Sequence, residues 1–561
     1  MRLYQSIRRA RISTAAAAIV FTSVSAFGQS GQPSLRTAVQ AAGQAVAAEP
    51  PASVRRLSVD DATRLALEQN LGIRIQRIDP QISDVGIMQA RSFWAPNFQT
   101  SFNRNSLDQP GQSVIQPTSE NRTFSSGVGL SEQLPWGGSY AANWNNQRTT
   151  STNLLTSFSP QLQSTVAFNY TQPLVRNFSI DQIRQQVQNS KKTRDLSDIQ
   201  LQAVITGTLR SVKNAYWDLV YAISNTKAQQ QSLALSQQSL KDNQKRVEIG
   251  TMAPIDIVQA QAEVASNEQG VIVAEASIKQ AQDNLRALIL DPGAADFWNV
   301  EFEPSDAPAF ADQAVDIDAA VRNALDKRSD LLSAKNSLEQ SDVNIKFYRN
   351  QILPDVNATV NYGAFGIGGT QLTPVDLQLA ASGIVPTRQI VDQRGFGSVL
   401  GDVFGNAFPQ WSVGVQIGYP LGASTAHANL ARVRLQYDEA QMQLKNLQLQ
   451  VATQVRAAGR NVQTNQKRVQ SARASRELQE RKLDAEEKKL AAGMSTTFFI
   501  SQFQRDLAQA KVIELQAILD YNKSLVDFEA VQEIPVGGGG GGIVTAGSGA
   551  ISTGNSAIIR Q

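Results

Sequence analysis

The sequence of 561 residues contains no cysteine and a single histidine, His427. The absence of cysteine excludes disulfide scaffolds, thiolate metal sites, iron–sulfur clusters and thiol nucleophiles, and one histidine leaves no second imidazole for a histidine metal site. The net charge is only +3, so no strong attraction to nucleic acid is expected. The sequence also contains no catalytic constellation. We therefore predict a protein that is not an enzyme and that binds no metal, cofactor or nucleic acid.

Long apolar runs are also missing. No stretch of about 18 apolar residues follows the N-terminal segment, so no membrane-spanning helix is predicted in the mature chain. Residues 1–28 combine a basic start, a short apolar core and small residues at Ala26–Gly28, which is typical of a secretory signal peptide. Residues 29–56 are predicted to be a flexible tether, and residues 537–561, which begin with a run of glycines, a flexible tail.

An internal repeat organises the chain between these ends. The segment Leu57–Leu67 recurs without a gap as Val315–Leu325. Later landmarks recur in the same order, pairing Pro96 with Pro354, Pro173 with Pro420 and Gly250 with Gly493. Such self-similarity indicates duplication. We assign a first structural repeat to residues 57–310 and a second to residues 311–536.

Each half is predicted to begin with a helix of roughly 35 residues that ends before Pro96 or Pro354, because a helix rarely continues into proline. Ser58, with Asp61 three positions later, resembles a capping box at the first start. Strands follow, in which apolar and polar residues alternate, as in Trp411–Tyr419. Their predicted length of about 9 residues suits a tilted strand that crosses hydrocarbon. Aromatic residues at strand ends predict an interfacial girdle of Tyr170, Tyr362, Trp411 and Tyr419.

One very long helix follows the strands in each half. Residues 181–249 contain no proline and one glycine, and a helix of that length spans about 100 Å. Residues 426–492 repeat this pattern. The apolar stripe is narrow, so these helices are predicted to pack beside neighbours while water touches their other faces. Each turns at Gly250 or Gly493 and returns through a second helix, residues 255–290 and 498–531.

These strands are too few to close a barrel alone, since the smallest natural barrels have about eight. Open sheet edges in lipid cost several kcal/mol per unsatisfied backbone group. We therefore expect several chains to share one transmembrane β-barrel that continues into a helical tube. A water-soluble sandwich would explain the strands too. Two other kinds of protein would explain part of this pattern: a periplasmic adaptor, or a structural coiled-coil protein of an envelope complex.

The residues resemble the TolC-type outer-membrane factors of efflux pumps and type I secretion systems. The resemblance covers about Leu57–Val531, and it is most specific in the two repeat starts, in Asn214–Asp218 and in the tip segments Arg246–Asp256 and Lys489–Met494. It implies a mixed α+β membrane protein built from two internal repeats. The homotrimer would form a transmembrane β-barrel of about four strands per chain, continued by a long α-helical coiled tunnel in the periplasm.

The resemblance also implies a function and partners. The protein would lie in the outer membrane, in contact with its lipid, as the exit duct of a tripartite efflux pump or type I secretion system. Its partners would be a periplasmic adaptor and an inner-membrane pump of the RND, ABC or MFS type. The strand–helix junctions would lie at the repeated prolines Pro96, Pro173, Pro354 and Pro420, and the tip turns at Gly250 and Gly493.

In the family, an Asp of the first tip bonds to an Arg and a Tyr of the second tip and holds the entrance shut. Asp256 corresponds to that Asp here, whereas Ser495 and Leu490 occupy the positions of the Arg and the Tyr. The charged run Glu486–Lys489 beside them is predicted to be a solvated helix face.

The acidic ring of the family corresponds here to Phe499 and Gln502. We therefore hypothesise that an apolar constriction of Phe498 and Phe499 gates the tunnel by dewetting. The alternative is that both phenylalanines pack between helices.

An additional hairpin is predicted in the first half. Phe124–Asn146, with Leu134–Gly138 at its bend, reads as two strands that have no counterpart in the second half. The second half instead has a glycine-rich segment from about Ala364 to Gln410, predicted as a loop. The hairpin is either an extracellular elaboration or an enlargement of the barrel.

Overall fold

The structure, a computed structural model, describes residues 53–113, 116–153, 156–294, 297–306, 310, 314–375, 387–422 and 424–536. The predicted signal peptide, most of the predicted tether and the predicted tail lie outside these residues. None of the described helices is both long enough and apolar enough to span a membrane.

The described helices fall into short segments near the strands and four long segments. In chain order they are α1 (Val59–Gln69), α2 (Leu71–Gln76), α3 (Asp79–Arg91), α4 (Gln182–Glu248), α5 (Pro254–Ile289), α6 (Ile317–Lys327), α7 (Ser329–Gln351), α8 (Phe396–Phe404), α9 (Thr425–Ala491) and α10 (Thr497–Ala530). The strands are β1 (Ser53–Leu57), β2 (Asn97–Ser113), β3 (Gln116–Gln133), β4 (Ser139–Ser151), β5 (Phe158–Pro173), β6 (Val300–Pro304), β7 (Asp355–Leu372), β8 (Ile390–Arg394) and β9 (Pro409–Gly418).

One antiparallel sheet contains most of the strands. Its order is β2-β3-β4-β5-β7, and both β9 and the short β8 pair with the far edge of β7. The expectation of about four strands per chain is therefore wrong, because the described residues already form seven strands in this sheet. The predicted length is also too short: β9 has 10 residues, but β3 and β7 each have 18. Polar residues continue the alternation beyond the apolar stretch, which conceals the strand ends in the sequence.

The additional hairpin of the first half is β3 and β4, paired from Asn121–Ser151 to Gln133–Ser139. It lies inside the sheet, between β2 and β5. The prediction that the glycine-rich segment of the second half is a loop is wrong, since much of this segment forms the last residues of β7, the whole of β8 and the helix α8. Residues 376–386 of that segment lie outside the described residues.

A small second sheet pairs β1 with β6. Ser53–Arg56, the end of the predicted tether, therefore belongs to β1. Beside this sheet lies the largest apolar cluster, which includes Leu57, Tyr216, Leu285 and Phe302. The Tyr216 hydroxyl donates to the Asp306 carboxylate at 2.9 Å. Burial is the main cause that raises the pKa of Tyr216 to about 12, and the hydrogen bond to Asp306 adds to this effect.

The first helix of each half is broken, contrary to the prediction of one continuous helix. In the first half Asn70 leaves helical geometry, and its side chain accepts from the Ile73 N–H at 3.0 Å. In the second half the break is at Arg328, whose side chain is 1% exposed and pairs with Asp330 at 3.0 Å. Neither residue type is a strong helix breaker, so the sequence shows no interruption at these two positions. The first half is also interrupted between Gln76 and Asp79, where Pro80 occupies the first turn of α3.

The long helices follow the prediction to within a residue. α4 and α9 each contain 67 residues, and Asp181 and Ser424 cap their N-termini. Both end in the same turn, because Gly250 and Gly493 adopt φ of +76° and +73°. The next N–H in each case donates back to a carbonyl five residues earlier, Thr251 to Arg246 and Met494 to Lys489. This is the Schellman geometry, which glycine favours because it lacks a Cβ.

Candidate channel wall and hairpin tips

The large sheet has two chemically different faces. One row of paired residues crosses its six long strands on one side and is called the aromatic row here. It consists of Phe98, Leu130, Ala142, Phe168, Tyr362 and Trp411. Trp411 is 75% exposed and Phe98 66% exposed. This side, called the apolar face, therefore leaves large apolar side chains without cover in the isolated chain.

The opposite side, called the polar face, carries short polar residues. The row one step away from the aromatic row consists of Asn97, Ser131, Ala141, Asn169, Asn361 and Ser412. Asn361 donates to the Ser412 hydroxyl at 3.0 Å across β7 and β9. A concavity of about 320 Å³ on this face is lined by residues that include Ser101, Asn145, Gln163 and Thr165. Such a surface suits contact with water.

The predicted girdle residues lie at different heights. Tyr362 and Trp411 face each other in the aromatic row, and Tyr362 lies inside β7 rather than at its end. Tyr170 lies two residues nearer the helical end than the aromatic row and pairs with Val360. Tyr419 follows directly after β9. The expectation that all four mark strand ends is therefore wrong for Tyr362.

The repeated prolines lie where the sheet meets the helices. Pro173 ends β5, Pro96 and Pro354 directly precede β2 and β7, and Pro420 follows β9 closely. The Leu174 N–H donates to the Val356 carbonyl at 2.8 Å and thereby ties the end of one half to the start of the other.

A helix of the second half covers part of the apolar face. In α8, Val399 and Val403 are buried against β7 at positions where it has glycine, Gly366 and Gly368. A Cβ at Gly366 would overlap the Val399 carbonyl oxygen. Sequence reasoning missed α8 because its glycines resemble those of a loop.

The segment Asn214–Asp218 joins the two halves. Asn214 donates to the Asp527 carboxylate at 3.2 Å, and Lys523 pairs with Asp218 at 2.9 Å. Arg210, one turn earlier, also reaches Asp527, at 2.6 Å. Each contact joins α4 to α10, so this segment fixes the two helical hairpins to each other.

Among the described residues, no side-chain hydrogen bond joins Asp256 to Ser495 or Leu490, which occupy the positions of the family's Arg and Tyr. Ser495 donates to the Glu486 carboxylate, within the same hairpin, and Lys489 pairs with that carboxylate at 3.0 Å. Both contacts lower the pKa of Glu486, and the hydrogen bond from Ser495 has the larger effect. Asp256 has no side-chain hydrogen bond or ion pair with the described residues. Leu490 is half-buried at the end of α9.

Glu486 was missed as a tip residue. It is 9% exposed, whereas the charged run was predicted to be a solvated face. A serine that follows the turn glycine is the signal that could have revealed its partner. Phe498 and Phe499 are 49% and 46% exposed, and their rings contact each other edge to face, with 5.7 Å between the ring centroids. Gln502 is exposed in the next turn of α10.

A second acidic residue lies between the two hairpins. Glu263 of α5 is mostly buried beside a cavity of about 290 Å³, with Arg505 of α10 at 3.9 Å. Burial raises the pKa of Glu263, and the Arg505 charge partly opposes this effect.

His427 lies in the first turn of α9, and its Nδ1 atom is 2.8 Å from the hydroxyl oxygen of Ser424, the residue that caps this helix. The described residues contain no acidic, histidine or cysteine cluster that could hold a metal ion.

Solved outer membrane channels share this fold. The Campylobacter jejuni CmeC channel is similar with a TM-score of 0.57 at 15% identity, over 84% of this chain and 85% of CmeC. The Vibrio cholerae VceC protein gives 0.56 at 14% identity, over 85% of this chain and 96% of VceC. The open-state Neisseria gonorrhoeae MtrE channel gives 0.55 at 17% identity, over 85% of this chain and 89% of MtrE.

No curated protein sequence matches the chain. The sequence family described as outer membrane efflux protein matches residues 138–289 and 320–531. These two segments cover more than half of the chain and include the added strand β4, most of the sheet and all four long helices. The chain is thus a TolC-like outer membrane factor and belongs to the outer membrane efflux protein family.

Proposed function

We propose that three copies of the chain form a channel in the outer membrane, the exit duct of a tripartite efflux pump or a type I secretion system. The channel passes small molecules or proteins passively from the periplasm-spanning assembly to the outside. One observation carries the proposal: a single sheet, whose apolar face is covered only in part by α8, is joined directly to two helices of 67 residues.

The two parts suit two different solvents. Exposed apolar side chains on one face gain about 25 cal/mol per Å² when lipid replaces water. The polar face then lines a water-filled lumen, as in natural outer-membrane barrels. A 67-residue helix spans about 100 Å, and its mixed polar surface suits an aqueous compartment. We assign the sheet to the outer membrane and the helices to a tunnel in the periplasm.

The hairpin tips would be the docking site for other proteins. We propose that a periplasmic adaptor binds there and links the channel to an inner-membrane pump of the RND, ABC or MFS type. A periplasmic adaptor or a soluble coiled-coil scaffold is the rival function for this chain. Neither explains why Val413 and Ile417 of β9 are 69% and 71% exposed.

The test combines cell fractionation, unheated gel electrophoresis and planar bilayers. We expect an SDS-resistant trimer in the outer-membrane fraction that conducts ions. Val413→Arg places a charge on the apolar face and should remove the trimer, since such a charge costs about 2–4 kcal/mol at the bilayer midplane. Ser412→Arg is the matched control on the polar face of the same strand and should retain it. A monodisperse monomer in aqueous buffer that leaves lipid vesicles sealed would refute the channel.

We further propose that Phe498 and Phe499 form an apolar constriction at the tunnel entrance. Their partial exposure and mutual contact at the start of α10 support this role. The family latch is replaced, because Ser495 bonds to Glu486 and leaves Asp256 unpaired among the described residues. Phe499→Ala should raise single-channel conductance, while Gln502→Ala should leave it unchanged. Equal conductance of Phe499→Ala and the parent protein would assign Phe499 to packing.

A further inference from the structure

The hairpin β3–β4 is paired along both of its edges. β3 pairs with β2 from Asn97–Ser131 to Pro110–Thr118, and β4 pairs with β5 from Ser139–Thr171 to Thr149–Gln161. A hairpin folded away from the sheet would lose both ladders. Each lost backbone hydrogen bond leaves unsatisfied groups, which are most costly near lipid. The hairpin is therefore part of the wall and not an appendage.

The two faces of the sheet continue across the hairpin without interruption. The aromatic row passes through Leu130 and Ala142, and the adjacent polar row passes through Ser131 and Ala141. A shift of one residue in register would exchange the two faces. The pairing therefore puts the faces of the hairpin in line with those of its neighbours, so that in the proposed channel the hairpin crosses the same bilayer.

The turn of the hairpin fits the helical end of the sheet. Gly137, in the turn between β3 and β4, adopts φ of +94°. A Cβ there would lie 2.8 Å from the Asn177 carbonyl oxygen and 2.7 Å from the Arg184 guanidinium. Arg184 in turn donates to the Asn177 carbonyl at 2.6 Å. The added strands are thus seated against the start of α4, although no helix continues from them.

The outermost long strands of the sheet are β2 and β9. Among the described residues β2 pairs with β3 alone and β9 with β7 alone. All neighbouring strands are antiparallel, so β2 and β9 run in opposite directions across six long strands. β9 of one copy can therefore pair antiparallel with β2 of the next, and repetition closes a barrel without free edges.

We propose that β9 of each copy pairs with β2 of the next, so that the trimer closes a barrel of eighteen long strands rather than the twelve that four strands per chain would give. This inference rests on the trimeric channel proposed above. Barrel diameter grows roughly linearly with strand number, from about 24 Å to about 36 Å at a strand spacing near 4.8 Å and a tilt near 40°. The membrane section would therefore admit bulkier cargo, and the tip would be the narrowest point.

Paired cysteines test the seam, because the chain contains no cysteine of its own. One cysteine replaces Ser412 or Gln416 on the polar face of β9. The other is scanned along the polar face of β2, at Gln99, Ser101 and Asn103. Antiparallel partners have Cα atoms about 4.5–5.5 Å apart, within the range that a disulfide bridges. After mild oxidation we expect disulfide-linked dimers and trimers on a heated, non-reducing gel for at least one pair.

The matched set places the second cysteine on β4, at Ala141, Asn143 and Asn145, and should give no linkage between copies. Linkage of β9 to β4 instead would show that β2 and β3 leave the wall, which overturns the eighteen-stranded barrel. An SDS-resistant trimer in which no β2 pair forms overturns it too. Loss of the trimer in the parent protein, before any cysteine is added, would refute the proposed channel itself and so separates the two failures.

Discussion

The two halves of the chain interrupt their first helix at corresponding positions by different chemistry. Asn70 and Arg328 have nearly the same backbone angles, with φ of −59° and −65° and ψ of 122° and 129°. Each side chain donates to a carbonyl at the end of the returning helix of its own half, Asn70 to Leu288 and Arg328 to Val531. The geometry is shared, whereas the cost of burial differs, since an uncharged amide serves one half and a guanidinium the other.

The comparison predicts that Arg328 is the more sensitive position. Arg328→Ala leaves the Asp330 carboxylate without its buried partner and should cost about 3–5 kcal/mol. Asn70→Ala removes a cap and one hydrogen bond and should cost about 1–2 kcal/mol. Thermal unfolding of the detergent-solubilised protein, followed by circular dichroism, ranks the two variants.

Arg328→Met is the matched control, because it keeps an unbranched apolar stem in place of the aliphatic part of arginine and removes the charge. It should be less stable than the parent protein, since Asp330 again lacks its partner. The double variant Arg328→Met, Asp330→Asn should recover part of the loss. Equal melting temperatures for Arg328→Ala and Asn70→Ala would contradict the difference between the halves.

The same two positions show why part of the fold was not predictable from the sequence. The ends of the long helices were predicted closely because their signals are local: a capping residue at the start and a glycine at the turn. The breaks at Asn70 and Arg328 depend on carbonyls that are distant in sequence, at Leu288 and Val531. A periodic pattern contains no information about such partners.

The sheet shows the same limit. The faces of β9 were predictable, since alternation from Trp411 to Tyr419 depends on one strand alone. Strand length and strand number were not, because polar residues extend the strands beyond the apolar stretch. At the tips the positions of Phe498 and Phe499 were predictable, but the burial of Glu486 was not, because Ser495 reaches it only after the turn has formed.

The first half contributes four of the seven described strands of the large sheet, and the turn of its added hairpin predicts a second sensitive position, Gly137. Gly137→Ala introduces a Cβ at φ of +94° and against Asn177 and Arg184, so we expect a loss of about 2–4 kcal/mol. Gly422 in the second half has the same φ, but no neighbour among the residues that the structure describes lies within 4 Å of an added Cβ. Gly422→Ala should therefore cost only about 1–2 kcal/mol from backbone strain. Melting temperatures measured side by side test the difference, and equal losses would show that the turn is not seated against α4.

The smallest expected effects separate the two hairpins by the sign of their pH dependence. Glu486 has a lowered pKa because Ser495 and Lys489 stabilise its charge, so it contributes stability above the ordinary value of 4.5. That contribution is lost as the pH falls through the lowered value. Glu263 has a raised pKa because burial penalises its charge. Its contribution is fully present below 4.5 and is lost as the pH rises through the raised value.

Substitution by glutamine should therefore act in opposite directions. At neutral pH Glu486→Gln should lower the melting temperature and Glu263→Gln should raise it, each by about a few degrees at most. Both differences should shrink when the melts are repeated at pH values well below 4.5, because Glu263 is then protonated and Glu486 becomes protonated as the pH falls through its lowered pKa. Glu487→Gln and Glu268→Gln, on exposed positions of the same helices, should shift neither melt. Shifts of the same sign would mean that the charge of Glu263 is stabilised by Arg505 more than burial penalises it, and that the two hairpins respond to acid alike.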